Sequence, residues 1–144
     1  MTSESSPHIY SIVLTSRSTI RVRYAETDMM GVVYHGSYLP WLEVARTDLF
    51  RNFGLSYREL EAAGYSLPVL SVNCQYLRPA VYDDEIEIEV TCGEKPRIRI
   101  KLEYVISRGE ERLATAMTEH AFIDREGRPT RPPESFTQLI NAHF

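Results

Sequence analysis

Residues 24–46 read YAETDMMGVVYHGSYLPWLEVAR. A polar cluster, Glu26-Thr27-Asp28, is followed by Gly31, two valines and Tyr34-His35-Gly36. An apolar stripe then runs through Tyr38, Trp41, Leu42, Ala45 and Leu49. The spacing i, i+3, i+4, i+7, i+11 predicts an amphipathic helix with one continuous buried face. Ser37 is a candidate cap, Pro40 falls in the first turn where its missing N–H costs little, and Gly54 marks the stop. The run therefore puts an acid just ahead of a helix start. A carboxylate there suits attack on a carbonyl whose developing negative charge the helix end can hold.

Working outward, residues 18–25 (STIRVRYA) alternate Ile20, Val22 and Tyr24 against Arg21 and Arg23, and this period of two reads as a first core strand. Residues 1–17 read as an N-terminal tail, in which 9–14 (IYSIVL) form a short extra strand or ordered segment. Downstream, Ser56 opens a short second helix, with Glu59 at capping-box spacing and Gly64 at its end. Strands follow at 67–78, 84–91, 97–106 and 111–124, with Gly93, Pro96, Gly109 and Gly127 at the turns. The last residues, RPPESFTQLINAHF, fit a closing helix beginning near Pro133. If strands 84–91 and 97–106 form a hairpin, one register sets Glu89, Glu87 and Glu85 opposite Arg97, Arg99 and Lys101, with Ile88 and Ile86 opposite Ile98 and Ile100. The basic cluster then reads as a solvated ladder more than a phosphate site. One long helix against a curled antiparallel sheet makes an α+β layer pair, a single domain over residues 18–144.

Bulk properties narrow the function classes. A chain of 144 residues suits one domain and buries about two-thirds of its unfolded surface, enough for a core without staples. Apolar residues at 43% and charged residues at 25% fit a globular protein. A net charge of -4 argues against nucleic-acid binding, which needs a basic surface. No apolar run approaches the length of a membrane span. The two cysteines, Cys74 and Cys92, form no metal-ligand or redox motif and read as free thiols in a reducing compartment. The start, MTSESSPH, lacks the pattern of a secretory signal, so the expected location is cytoplasmic.

Tyr24-Ala-Glu-Thr-Asp28, Gly31, Val33-Tyr34-His35, Tyr38, Trp41, Glu43 and Ala45-Arg46 resemble the signature of hotdog-fold acyl-CoA thioesterases of the 4-hydroxybenzoyl-CoA thioesterase class, in particular its tol–pal-associated bacterial branch. Tyr76-Leu77-Arg78-Pro79, Asp83-Asp84 and Thr118-Glu119-His120 extend the resemblance by position, and together it spans roughly residues 18–140. The resemblance implies a hotdog fold: a long central helix wrapped by an antiparallel sheet of about five strands. It implies a homo-oligomer, dimer or tetramer, with the site at the subunit interface. The family's catalytic acid maps onto Asp28, and the backbone donor that polarises the thioester carbonyl maps near His35 and Gly36.

Thioester hydrolysis needs an activated water or a nucleophile, and a group to hold the oxyanion. Asp28 serves either as general base or as a nucleophile forming a mixed anhydride; its alternative use is loop capping. His35 anchors the loop, contacts substrate or titrates. Tyr24, Met29, Met30, Val33, Tyr34 and Tyr38 are candidate walls of an acyl pocket, and Tyr38 and Trp41 also belong to the core stripe. Gly31 and Gly36 read as points of unusual backbone angle or close approach. Arg78 is a candidate contact for coenzyme A phosphate or a strand-end ion pair. Glu26 reads as a loop-ordering partner, and Glu43, the second candidate acid, as an ion-pair partner of Arg46 or Arg23. His120 reads as a core or interface hydrogen-bonding residue. No metal is expected, and no cofactor beyond coenzyme A as part of the substrate. The activity expected is hydrolysis of an acyl-CoA to acid and free CoA. The alternatives are a carrier-protein thioesterase and a non-catalytic acyl-CoA-binding scaffold.

Overall fold

The computed structural model describes residues 14–144, and the reading of residues 9–13 as part of an extra strand lies outside them. Five strands, β1 (Leu14–Arg21), β2 (Val69–Tyr76), β3 (Glu85–Cys92), β4 (Ile100–Arg108) and β5 (Glu111–His120), form one antiparallel sheet in the order β1-β3-β4-β5-β2. Helix α1 (Tyr38–Asn52) packs across β1 and β3. The short α2 (Tyr57–Ala62) follows it, and α3 (Glu134–His143) closes the chain. This is the α+β hotdog arrangement that the resemblance implies.

The helical stripe read from the sequence is the buried face of α1. Tyr38, Trp41, Leu42, Ala45 and Leu49 are all at most 2% exposed. They meet the inward-facing residues of the sheet, among them Ile86, Ile88 and Val90 of β3 and Leu102, Tyr104 and Ile106 of β4. Each buried branched or aromatic side chain of this size contributes about 1.5–3 kcal/mol relative to exposure, so this two-layer core dominates the stability. The far half of α1 is also fixed by polar contacts, since Ser18 Oγ donates to Asp48 (2.7 Å) and Asn52 Nδ2 donates to Ser16 Oγ (2.8 Å). Gly54, with φ of 89°, ends the helix as expected. The Ser56 hydroxyl caps α2 through the Glu59 N–H, and α3 begins directly after Pro133.

Two expectations are corrected. The first strand lies at Leu14–Arg21 and not at 18–25; it takes in residues 14–17, and the chain turns at Tyr24–Glu26 into a 3₁₀ turn. Glu26 is the reason: its Oε1 accepts the Arg23 N–H at 2.8 Å, and the main chain closes a turn there. The β3–β4 register also differs. Glu89 faces Val105 and Ile88 faces Ile106, so the pairing slides eight residues along β4, from 97 to 105. Alternation fixes which face each residue takes but not the register, and an even slide leaves every face unchanged. The observed register sets Tyr104 and Ile106 between β3 and β5, where both are at most 1% exposed. The expected one would carry them past the start of β3. Two of the three glutamates find β1 instead: Arg17 pairs with Glu89 at 3.0 Å and Arg21 with Glu85 at 3.7 Å. Arg97, Arg99 and Lys101 have no ion-pair partner among the described residues.

Two isoleucines separate the registers. Ile88 is fully buried, and Ile98, which the sequence pattern set against it, is 81% exposed. Ile88→Ala is expected to lower the unfolding free energy by about 2–5 kcal/mol. Ile98→Ala is expected to change it by no more than about 0.5 kcal/mol. Urea unfolding of both variants checks this.

Candidate active site

Between β1 and α1 the chain makes a compact loop. Thr27 bridges Val33, the Asp28 N–H donates to the Val32 carbonyl (2.9 Å), and the Gly31 N–H returns to the Asp28 carbonyl (3.0 Å). This tight turn requires φ of +81° at Gly31, a backbone angle that any side chain would strain. The Val33 N–H donates to the Ala80 carbonyl (2.8 Å), which ties the loop to the segment after β2. That bond sets Asp28 beside residues 77–79.

Glu26 locks the loop to the helix. Its carboxylate is 7% exposed and accepts the Trp41 indole N–H at 2.9 Å as well as the Arg23 N–H, with the Arg23 guanidinium at 3.3 Å. Its carbonyl accepts the Tyr34 N–H (2.9 Å) and the Ser37 hydroxyl (3.1 Å). Glu26 is therefore the loop-ordering group that the sequence suggested. Ser37 is spent on this bond and makes no side-chain cap. The helix is entered through a 3₁₀ turn, His35–Ser37. Among the described residues the N–H groups of His35 and Gly36 have no hydrogen-bond acceptor. They are the orphan donors of a helix start, with its partial positive charge.

These elements enclose a cleft of about 370 Å³ lined by Asp28, Met30, Val32, Val33, His35, Tyr38, Tyr76, Leu77, Arg78 and Pro79. Asp28 is half-buried, and its Oδ1 accepts the Met30 N–H at 2.9 Å. This is the loop-capping contact anticipated as the bland role of Asp28. It occupies one oxygen, and Oδ2 has no partner among the described residues.

Of the residues singled out from sequence, Asp28, Met30, Val33, His35, Tyr38 and Arg78 line the cleft. Gly31, Tyr34 and Gly36 flank it. A Cβ on Gly36 would lie 2.8 Å from the Tyr34 ring, so this glycine marks a close approach. Tyr24 does not reach the cleft; it is 76% exposed and stands edge-on against Tyr82, with ring centroids 5.6 Å apart. Met29 is fully exposed. Arg78 stands on the rim and pairs with Glu111 at 3.3 Å, in a network that Arg108 extends to Asp84 (2.6 Å) and Glu111 (2.7 Å). The Arg108 guanidinium holds the Glu111 carboxyl below the usual range. Glu43 has no ion-pair partner among the described residues, neither Arg46 nor Arg23. Instead it lines a separate recess with Arg46, Tyr57 and Tyr65. Burial raises the thiols of Cys74 and Cys92, the latter to about 12, so both stay protonated near neutral pH.

Sequence reasoning missed Tyr76 as a site residue. Its hydroxyl donates to the His35 carbonyl at 3.0 Å, and its ring stands against Tyr38 (5.0 Å) and His35 (6.4 Å). The signal was present in the alternation of β2, which puts Val72, Cys74 and Tyr76 on the inner face beside Thr118, Ala116 and Ala114. The strand's distance in sequence from Asp28 concealed it.

Set against known proteins, residues 22–140 match the model of the Thioesterase-like superfamily. The fold and cleft define a hotdog protein with a carboxylate and a helix start at one cleft, and the chain belongs to that superfamily. It is 35% identical to the putative acyl-CoA thioesterase YneP of Bacillus subtilis, over 89% of this chain and 94% of the relative. It is 40% identical to the acyl-CoA thioester hydrolase YbgC of Escherichia coli over 51% of this chain and 54% of that one. The solved structure of a DHNA-CoA thioesterase from Staphylococcus aureus superposes with a TM-score of 0.85 at 32% identity, covering 89% of each chain.

His120 lies away from the cleft at the end of β5. It is fully buried, its Nε2 pairs with Thr118 Oγ1 (2.8 Å), and Thr118 pairs with the Tyr104 hydroxyl (2.7 Å), while Nδ1 has no hydrogen-bond partner among the described residues. Burial, reinforced by the nearby Arg46 charge, lowers its pKa to about 4. In the unfolded chain a histidine takes its proton near pH 6.5. Between these values the unfolded state binds the extra proton. Stability contributed by neutral His120 is therefore complete above pH 6.5 and is lost as pH falls toward 4, at up to about 1.4 kcal/mol per pH unit. Urea titrations from pH 7 to 4 should show this slope, and His120→Gln should reduce it.

Proposed function

We propose that the protein hydrolyses acyl-CoA thioesters, with Asp28 as the catalytic carboxylate and the His35–Gly36 turn as the oxyanion donor. The observation that carries this reading is the cleft itself: a half-free carboxylate and two unsatisfied backbone N–H groups line or border one small, mostly apolar space. Membership of the superfamily and similarity to named acyl-CoA thioester hydrolases support the thioester substrate. A water activated by Asp28 Oδ2, or Oδ2 itself, attacks the thioester carbon. The carbonyl oxygen then gains negative charge against the free N–H groups, and the thiolate of CoA leaves. Met30, Val32, Val33 and Leu77 offer the acyl chain an apolar wall, with methionine adapting to varied shapes. The resting Asp28–Met30 bond orients the carboxylate without consuming it. Asp28→Asn is expected to reduce thiol release at least about 10²-fold, with the fold unchanged by circular dichroism. A panel of short, long and aromatic CoA esters, with a carrier-protein ester beside them, reads out the acyl and carrier preference. Wild-type turnover in Asp28→Asn would sink the assignment.

The working unit is proposed to be a homo-oligomer with the cleft completed by a second copy. Support comes from β2, an edge strand whose Val69, Leu70, Val72 and Tyr76, with Leu77 just beyond it, are each 43–55% exposed. A long apolar edge with unpaired backbone groups is a template for strand pairing and an unstable one to leave bare. The cleft lies at the end of this strand, so an antiparallel second copy would form its outer wall. The protein is proposed to act in the cytoplasm; no helix among the described residues is long and apolar enough to cross a membrane. Val72→Glu sets a charge on that edge, at a side chain 45% exposed. Light scattering should then give a lower mass than wild type, and thiol release should fall in parallel. Wild-type mass with wild-type turnover would rule out β2 as the pairing edge.

A further inference from the structure

Ser37 holds the position of a helix cap and does not act as one. Its side chain caps no N–H of α1. Its hydroxyl donates instead to the Glu26 carbonyl at 3.1 Å, across the active-site loop. That carbonyl also accepts the Tyr34 N–H at 2.9 Å, and the Tyr34 carbonyl accepts the Ser37 N–H at 2.9 Å. Together these bonds close a ring through Glu26, Tyr34 and Ser37, in which the Glu26 carbonyl uses both of its lone pairs. The ring is anchored at Glu26, whose buried carboxylate accepts the Trp41 indole N–H and the Arg23 main-chain N–H.

The peptide unit joining Tyr34 to His35 lies within this ring. A trans peptide is planar, so its C=O and N–H point in opposite directions. The bond on the Tyr34 carbonyl therefore sets the direction of the His35 N–H. That N–H has no acceptor among the described residues, and His35 lines the cleft with Asp28. Oxyanion stabilisation depends on donors set in place before reaction.

We infer that Ser37 is a positioning residue for thioester hydrolysis: its bond to Glu26 closes the ring that orients the His35 N–H for the oxyanion. The inference rests on the hydrolase reading of the cleft. Two features support it. Within the ring only this bond is made by a side chain; the others join main chain to main chain, whatever the residue type. The backbone also changes course here. Tyr34 is extended, with φ of -62° and ψ of 138°, and His35 opens the 3₁₀ turn. No helical ladder reaches back to hold the His35 amide, so its direction depends on the ring.

Ser37→Ala removes the hydroxyl, and Ser37→Thr keeps it. Ser37→Ala is expected to lower kcat about 3- to 30-fold, less than the 10²–10³-fold of deleting a direct oxyanion donor, and to leave KM within about two-fold. Ser37→Thr should recover most of that loss. Thermal unfolding checks that both variants fold as wild type. The decisive readout is spectroscopic. The CoA ester that wild type turns over fastest, labelled with ¹³C at its carbonyl, is bound to Asp28→Asn. Its C=O stretch should lie below the solution frequency, and in Asp28→Asn/Ser37→Ala that downshift should shrink. An unchanged kcat in Ser37→Ala overturns the inference. So does a fall in kcat with the downshift intact, an effect confined to KM, a loss that Ser37→Thr shares in full, or a loss of fold, since each would make Ser37 a structural residue. Failure of the underlying reading looks different: Asp28→Asn would then turn over substrate, whatever Ser37→Ala does.

Discussion

The buried carboxylate of Glu26 is the contact on which the geometry of the cleft depends. It accepts the Trp41 indole N–H from α1 and the Arg23 N–H from the exit of β1, and its carbonyl receives the Tyr34 N–H and the Ser37 hydroxyl. Four bonds at one residue join strand, loop and helix start. An ionised carboxylate shut away from water is costly unless its lone pairs are met, and here three donors meet them. Removing any one of them leaves the charge short, which is why the arrangement is stiff. The loop between these bonds has little freedom left, and Asp28 sits at its tip.

From that constraint the division of labour follows. The core fixes where the helix lies, Glu26 fixes how the helix begins, and the turn at Gly31 fixes where Asp28 points. The groups at the cleft are held by bonds on their other sides, the turn at the helix start through its carbonyls and the loop carboxylate through the Met30 N–H. Tyr76 brings the sheet into the same arrangement. It ties the edge strand β2 to the His35 carbonyl at the helix start.

Much of this could be read along the chain. The stripe of α1, the cap at Ser56, the helix start at Pro133 and the glycine at 54 are local patterns, and each appeared where the residues put it. Glu26 as a loop-ordering group was legible for the same reason, since one of its bonds closes over three residues. The start of β1 and the β3–β4 register were not. Both hinge on a choice among alternatives of equal parity, and Ile98 and Ile106 carry the same local signature although one is bare and the other fully buried. The fate of Glu43 was also hidden: an arginine three residues along a helix looks like a partner, yet Arg46 turns toward the tyrosines and histidine behind α1.

The sequence by itself determined the faces, because side-chain period is set by helix and strand geometry and needs no knowledge of neighbours. It also determined the chemistry available at the loop: one carboxylate, a glycine turn and a helix start. The tertiary structure decided which strand pairs with which, at what offset, and which distant side chain reaches the cleft. Those outcomes depend on comparing whole packings. The register that buries Tyr104 and Ile106 between two strands also gives Glu85 and Glu89 to the arginines of β1. Tyr76 reaches His35 from 41 residues away only because β2 crosses the sheet to lie beside β5.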